Sequence, residues 1–274
     1  MHVTNLKTFI AVTETGSFVG AAERVHVTQS TVSVRIRVLE DYLGVYLFDR
    51  GKKGAVLTID GQKFLKTAVA IVNLWGQARI EIGLSASQES ILRVGAQVSL
   101  WDGFMTTWLS SFKSANPNIA LRAEMASSTD LIERLTNAEL DVIVLYRPQY
   151  RPGYEAQIIF DEELILVSTV KHDPEPLGQN YIFMYWGPDF QADHSLNFPD
   201  IPVPEITMDI GTLGLEYIFE HGGSAYLPKR IVKKYLKEKR LYIVKDQPTF
   251  KYPVYLLYSH TLDEQLVSKI KCSM

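Results

Sequence analysis

Cysteine is almost absent from this chain: Cys272 is the only one in 274 residues. A lone thiol excludes an intrachain disulfide framework and zinc clusters built on several thiolates, and it asks for no oxidising compartment. Long apolar runs are missing as well. No window approaches the ~18 uninterrupted apolar residues of a membrane-spanning helix. Residues 1–9 lack a basic stretch followed by an apolar core, so the expectation is no signal peptide, no membrane and a cytoplasmic setting. Catalytic signatures are missing too, with no HExxH, P-loop or GxGxxG. Asp193-His194-Ser195 has the residue types of a hydrolase triad, but consecutive side chains point apart. Gly222 to Tyr226 begins like a nucleophile elbow and lacks its closing glycine. His221 and His260 read as ordinary surface or core histidines. The expectation is a protein that is not an enzyme and has no metal and no cofactor.

What is present suits an ordinary globular protein of about two domains, with 46% apolar and 22% charged residues. The net charge is −3, unevenly spread. Residues 1–58 hold seven basic and five acidic side chains, a net of +2 that leaves −5 for the rest. This permits a nucleic-acid-binding head on a neutral-to-acidic body.

Leu6, Phe9 and Ile10 predict a first helix from about Val3 to Thr13, broken by Gly16-Ser17. A second follows from about Phe18 to Val25, where Ala21-Ala22 allows close helix contact. Thr28 is a good N-cap for a third, whose stripe Val32, Ile36, Leu39 and Leu43 ends at Gly44. On or near the opposite face lie Ser30, Ser33, Val34 and Arg37. This face suits a recognition helix in the major groove; the alternative is the solvated side of any three-helix bundle. Leu47-Phe48, a basic glycine-flanked tip with Arg50, Lys52 and Lys53, and Val56-Leu57 predict a two-stranded wing able to follow phosphates.

The run from Ala21 to Ser30, continued by Leu39-Glu40, Leu43-Gly44-Val45, Leu47-Phe48-Asp49-Arg50, Leu57-Thr58 and Gly61, resembles the LysR-type transcriptional regulators over residues 3–65. Ala96 to Trp101 and Trp186 to Gln191 resemble the subgroup containing the flagellar-operon repressor HdfR. The resemblance implies that Gln29, Ser30, Ser33 and Arg37 contact bases or backbone and that Arg50 contacts phosphate. The full candidate interface is Thr28, Gln29, Ser30, Ser33, Val34, Arg35, Arg37, Arg50, Lys52 and Lys53. Many members carry proline near position 30 and arginine at position 34, where this chain has Ser30 and Val34. Valine cannot donate to guanine but packs on a thymine methyl, so the family's base preference does not transfer at that step.

Thr58 caps a predicted long helix in which Phe64, Ala68, Ile71, Trp75, Ala78 and Ile82 form a heptad-like seam. It reads as a dimerisation helix, with a stripe packed on its own domain as the alternative. Small polar residues 85–90 read as a linker. Beyond them the expected order is strand 91–96, helix 100–114, strand 119–125, helix 130–138 and strand 141–146, which implies a parallel sheet by right-handed crossovers. A strand at 163–168 crosses into a smaller lobe, a strand at 249–259 returns, and a helix at 261–270 closes the chain; residues 173–204 are unassigned. The overall expectation is an α+β multidomain protein. It has a winged helix-turn-helix at 1–58, a coiled-coil linker helix at 59–87 and a two-lobed effector domain at 88–274. Lobe I spans about 88–162 and 246–274, and lobe II about 163–245. The resemblance implies a type 2 periplasmic-binding-protein fold there.

Ligands of such sheets gather at strand carboxyl ends beside helix N-termini. The candidate effector residues are therefore Ser99, Leu100, Trp101, Ser127, Ser128, Thr129 and Arg147, with an anion as the favoured class. Plain helix capping by the serines is the alternative. Trp101 and Trp186 are divided between pocket and core, and Trp108 is core. The basic run of Lys229, Arg230, Lys233, Lys234, Lys237, Lys239 and Arg240 reads as a solvated helix face, ahead of a contact with DNA or an acidic surface. The expected partners are a double-stranded DNA operator, a small-molecule effector, a second copy in a homodimer or homotetramer, and RNA polymerase. Two other readings compete: a solute-delivery module, which the DNA-binding head opposes, and a DNA-binding protein whose body only assembles subunits.

Overall fold

The computed structural model describes residues 2–51, 54–83, 88–148, 151–209 and 211–274, with the side chains of Arg50 and Gly51 also left aside. Two compact units result. One joins residues 1–93 to 117–122 and 132–141; the other holds 94–116, 123–131 and 142–274.

The first unit opens with α1 (Val3–Thr15), α2 (Phe18–Arg24) and α3 (Gln29–Leu43), then a wing of antiparallel β1 (Phe48–Gly51) and β2 (Gly54–Leu57), then α4 (Ile59–Ile82). Each boundary has a local cause. Gly16 and Gly44 take left-handed backbone (φ +63° and +73°) and close α1 and α3, so α1 runs two residues beyond the expected Thr13. Ser17, Thr28 and Thr58 cap the following helices by accepting backbone N–H groups. Leu6, Phe9, Val12, Ala21, Val32, Ile36, Leu39 and Leu47 are fully buried together, as the apolar stripes require.

Backbone approach pins the wing to this bundle. A Cβ at Gly61 would lie 2.2 Å from the Leu47 carbonyl oxygen, and one at Gly54 2.6 Å from that of Gly16, so neither position tolerates a side chain without moving backbone. The buried Glu40 carboxylate accepts the Leu47 N–H at 2.9 Å, clamping the turn that leads from α3 into the wing.

Beyond α4 the chain forms a mixed sheet with flanking helices, most of it in the second unit. In chain order its elements are β3 (Ser90–Ala96), α5 (Val98–Leu100), α6 (Thr106–Ala115), β4 (Ile119–Met125), α7 (Ser128–Thr136), β5 (Val142–Leu145) and β6 (Tyr154–Ser168). There follow β7 (Tyr181–Met184), α8 (Pro188–Asn197), β8 (Ile206–Met208), α9 (Gly211–His221), β9 (Ser224–Pro228), α10 (Lys229–Lys237), β10 (Tyr242–Ile243), β11 (Phe250–Ser259) and α11 (Glu264–Ser273). The strand order is β4-β3-β5-β11-β6-β9-β7-β8, with β10 on β6. β3 and β5 run parallel, whereas β6 and β11 pair antiparallel from Tyr154↔Ser259 to Leu164↔Phe250 with one register shift after Val254. These two long strands carry the chain from one half of the sheet to the other and back.

Three expectations need correction here. The helix expected over 100–114 is broken at Asp102–Gly103, where Asp102 has ψ 115° and Gly103 φ +76°, which separates the short α5 from the ten-residue α6. β6 begins at Tyr154, nine residues before the expected Glu163, because its first half is mostly exposed and holds only the short apolar run Ile158-Ile159-Phe160 between polar residues. The unassigned stretch contains β7 and α8, around a buried cluster of Tyr181, Phe190 and Tyr226. Among the described residues no helix is long and apolar enough to cross a membrane.

Candidate functional site

The candidate recognition face starts at the Thr28 cap, whose hydroxyl lies 2.8 Å from those of both Ser30 and Thr31. One turn on, the exposed Gln29 amide donates to Ser33 at 3.2 Å, and Val34 is 61% exposed beside exposed Ser30 and Arg37. Gln29 and Ser33 also line a groove of about 410 Å³ with Ser17, Phe18, Val19, Gly54 and Ala55, between the start of α2, the start of α3 and the wing. The groove is open and lined by hydroxyl, amide and small apolar groups, a composition suited to a nucleic-acid backbone edge. Arg35 departs from this face. Its guanidinium donates to Thr8 on α1 at 3.2 Å, which ties α3 to α1 and takes its charge away from the groove. Lys52 and Lys53 lie outside the described residues, as does the Arg50 side chain.

The apolar seam of α4 is divided. Ala68 is fully buried, and Phe64 and Ile71 pack on the core of the protomer's own head. Further along, Leu74 (53%), Trp75 (51%) and Ile82 (86%) are exposed. A polar stripe runs down another side of the helix: Asn73 donates to the Asn137 carbonyl at 2.8 Å, Gln77 donates to the Ala138 carbonyl, and Glu81 pairs with buried Arg93 at 3.4 Å.

In the second unit, the carboxyl ends of β3 and β5 meet a buried polar cluster. The Gln97 side chain accepts the Tyr146 N–H at 2.8 Å. The Tyr146 hydroxyl donates to Glu162 at 3.3 Å and accepts from Ser99 at 3.4 Å. Arg230, the second residue of α10, reaches in from the opposite half of the sheet. Its Nε bonds Glu162 at 2.6 Å, its Nη2 bonds the Ser99 carbonyl at 2.5 Å, and its Nη1 bonds the Asp102 carbonyl. Glu162 is 3% exposed. Burial pushes its carboxyl above the usual range, with Arg230 opposing that rise. Burial, with the Glu162 charge next, pushes the Tyr146 phenol up to about 12.

Of the expected effector residues, Ser99 alone joins this cluster. Leu100 is fully buried, and the Trp101 indole donates to the Ala96 carbonyl at 3.1 Å. Ser127 caps α7, accepting the Asp130 N–H and donating to the Asp130 carboxylate, while Ser128 and Thr129 form the first turn. Arg147 is bonded to Asp189 at 2.6 Å on the surface. Trp186 donates to the Tyr226 carbonyl at 2.8 Å and packs on Gly211. Glu162 and Arg230 escaped sequence reasoning: one sits in the unrecognised first part of β6, the other in a basic run that reads as a solvated face. A helix that buries Ile231 and Val232 turns Arg230 toward the sheet, and only the packing reveals this.

A winged helix-turn-helix head, a long helix and a body whose mixed sheet is traversed twice define a DNA-binding regulator with a sensor-type domain. Residues 3–62 match the family described as bacterial regulatory helix-turn-helix protein, lysR family, and residues 85–266 match the LysR substrate binding domain. The chain belongs to the LysR family and is a DNA-binding transcriptional regulator with an effector-binding domain. It is 30% identical to the HTH-type transcriptional regulator HdfR of Yersinia enterocolitica over 271 residues, covering 95% of this chain and 91% of the relative. Its fold resembles ArgP from Mycobacterium tuberculosis (TM-score 0.67, 21% identity, 98% and 94% of the two chains). It also resembles CbnR (TM-score 0.66, 20% identity, 100% and 98% of the two chains).

Proposed function

We propose that the chain is a cytoplasmic, non-enzymatic regulator that reads a double-stranded operator through α3 and the wing. Thr28, Gln29, Ser30, Ser33, Val34 and Arg37 would face the groove, with Arg50, Lys52 and Lys53 on phosphates. The observation that carries this is the exposed polar face of α3 beside the open groove against the wing. A related fold, CbnR, has been solved in complex with its target DNA. In this reading the head spans 1–58, the linker helix 59–87 and the effector domain 88–274. Two or four copies assemble through the exposed second half of α4, and RNA polymerase is the downstream partner.

The effector domain would bind a small molecule between its lobes, where Ser99, Tyr146, Glu162 and Arg230 converge. An anion would have to draw Arg147 off Asp189; a cation would have to displace Arg230 from Glu162. Electrophoretic shift with genomic fragments tests the DNA reading. Arg37→Ala is expected to cost about 1–3 kcal/mol and relax base choice, and Arg50→Ala to weaken all duplexes alike with a smaller salt dependence. Unchanged affinity and specificity in Arg37→Ala would remove that residue from the groove.

A further inference from the structure

We propose that the cluster around Glu162 is a recognition site for a small organic cation with a guanidinium or amidinium head, and that Arg230 occupies the place of that ligand in the free protein. The proposal rests on reading the C-terminal body as a sensor and names the ligand class for it.

The geometry is that of an acceptor nest. The break at Asp102–Gly103 interrupts the helix after α5, so the carbonyls of Ser99 and Asp102 point inward and bond a guanidinium. Below them lies the carboxylate of Glu162, also holding the Tyr146 hydroxyl. One carboxylate and two carbonyls, set to receive three N–H groups of one planar cation, match a guanidinium in both charge and shape. A buried carboxylate with no cation is costly, so the nest demands an occupant.

Arg230 meets that demand from outside. Its side chain is 21% exposed while Glu162 is 3% exposed, so the arginine enters from the solvent side and can leave the same way. It also comes from α10, directly after β9, whereas Ser99 and Asp102 follow β3 in the other half of the sheet. With Arg230 in the nest the two halves are tied; with a free cation there, Arg230 is released and the tie is undone. The Arg147–Asp189 pair offers no comparable site, because its side chains are 61% and 47% exposed and solvent screens them.

Competition between a tethered and a free ligand makes the test. Methylguanidinium chloride is titrated into the full-length wild type, Arg230→Ala and the double variant Glu162→Gln/Arg230→Ala, with tetramethylammonium chloride at equal ionic strength as control, and thermal melting is followed. Removing the tethered competitor should strengthen the methylguanidinium response by about tenfold or more relative to wild type. The double variant should lose the response. If Arg230→Ala is not recovered folded, Arg230→Gln takes the same titration. Equal responses to the two salts in the folded Arg230 variant, or a response that survives Glu162→Gln, overturn the proposal and leave Arg230 as a structural strut. Stabilisation of the wild type by some other small molecule, unaffected by Arg230→Ala, would sink the cation site while preserving the sensor reading.

Discussion

The head and the body of this protein place their candidate site residues by different means. In the head, Gln29, Ser33 and Arg37 lie on one helix capped by Thr28, and the side-chain bonds of Thr28 and Gln29 reach no more than four positions along the chain. In the body, Ser99, Tyr146, Glu162 and Arg230 come from four separate segments spanning 131 positions. Local order makes the head's interface a matter of helical phase. The body's cluster exists only if the sheet closes, so its stability and its chemistry rise and fall together.

Breaking each region should therefore look different, most severely where a charge enters a fully packed core. Ala68→Asp buries a carboxylate in the head and is expected to cost several kcal/mol, lowering the melting temperature of the protomer itself. Ile82→Asp, on the exposed end of the same helix, should leave protomer stability unchanged and weaken only self-association, read by sedimentation against concentration. If Ile82→Asp lowers the melting temperature as much as Ala68→Asp does, the division of the seam is wrong.

Next in size is Glu162→Gln, which leaves the Arg230 guanidinium without its anion. Loss of one partner of a buried pair suggests about 3 kcal/mol. Chemical denaturation should show the loss in the body, with DNA affinity of the head per folded molecule retained. A variant as stable as wild type would mean that the pair contributes nothing to closure.

A comparable effect is expected from His194. It is buried among Phe183, Phe190, Phe198 and Tyr226, with the Tyr181 hydroxyl 2.7 Å from its Nε2. Burial depresses its pKa from 6.5 to about 4, so the folded state holds fewer protons than the unfolded one. Its contribution is complete above about pH 6.5 and is lost as pH falls toward 4. The loss is on the order of 3 kcal/mol across that window. Stability measured against pH should flatten in this range in His194→Gln; an unchanged slope would assign the titration elsewhere.

The smallest effect separates Arg35 from Arg37, two positions along the same helix. Arg35→Ala removes a hydrogen bond to Thr8 and should cost about 1 kcal/mol of head stability, with operator preference unaltered. A change in preference would return Arg35 to the groove.

Much of the head was legible in advance for a physical reason. Caps, left-handed glycines and a 3.6-residue stripe are set by neighbours in sequence, so Thr28, Gly44 and Thr58 mark helix ends before any folding is considered. Phase also placed Val34 and Arg37 on or near the face opposite Val32 and Ile36, with Ser33 at its edge. Arg35, counted with the interface in the sequence reading, turns out otherwise: its side chain lies at the border of the stripe, an ambiguity that only the position of α1 resolves. The heptad-like seam had the same ambiguity. Periodicity identifies an apolar face and says nothing of whether the protomer's own head or another copy covers it.

By itself, then, the sequence determined the head's elements, its family motifs and the alternation of strands and helices in the body, since each depends on short-range sterics and apolar periodicity. Tertiary structure alone decided that Gly61 must face the Leu47 carbonyl, that Glu40 serves the backbone and that Arg230 turns inward to Glu162. Those outcomes depend on which distant groups are brought within bonding distance and removed from water, and chain order carries no signal of either.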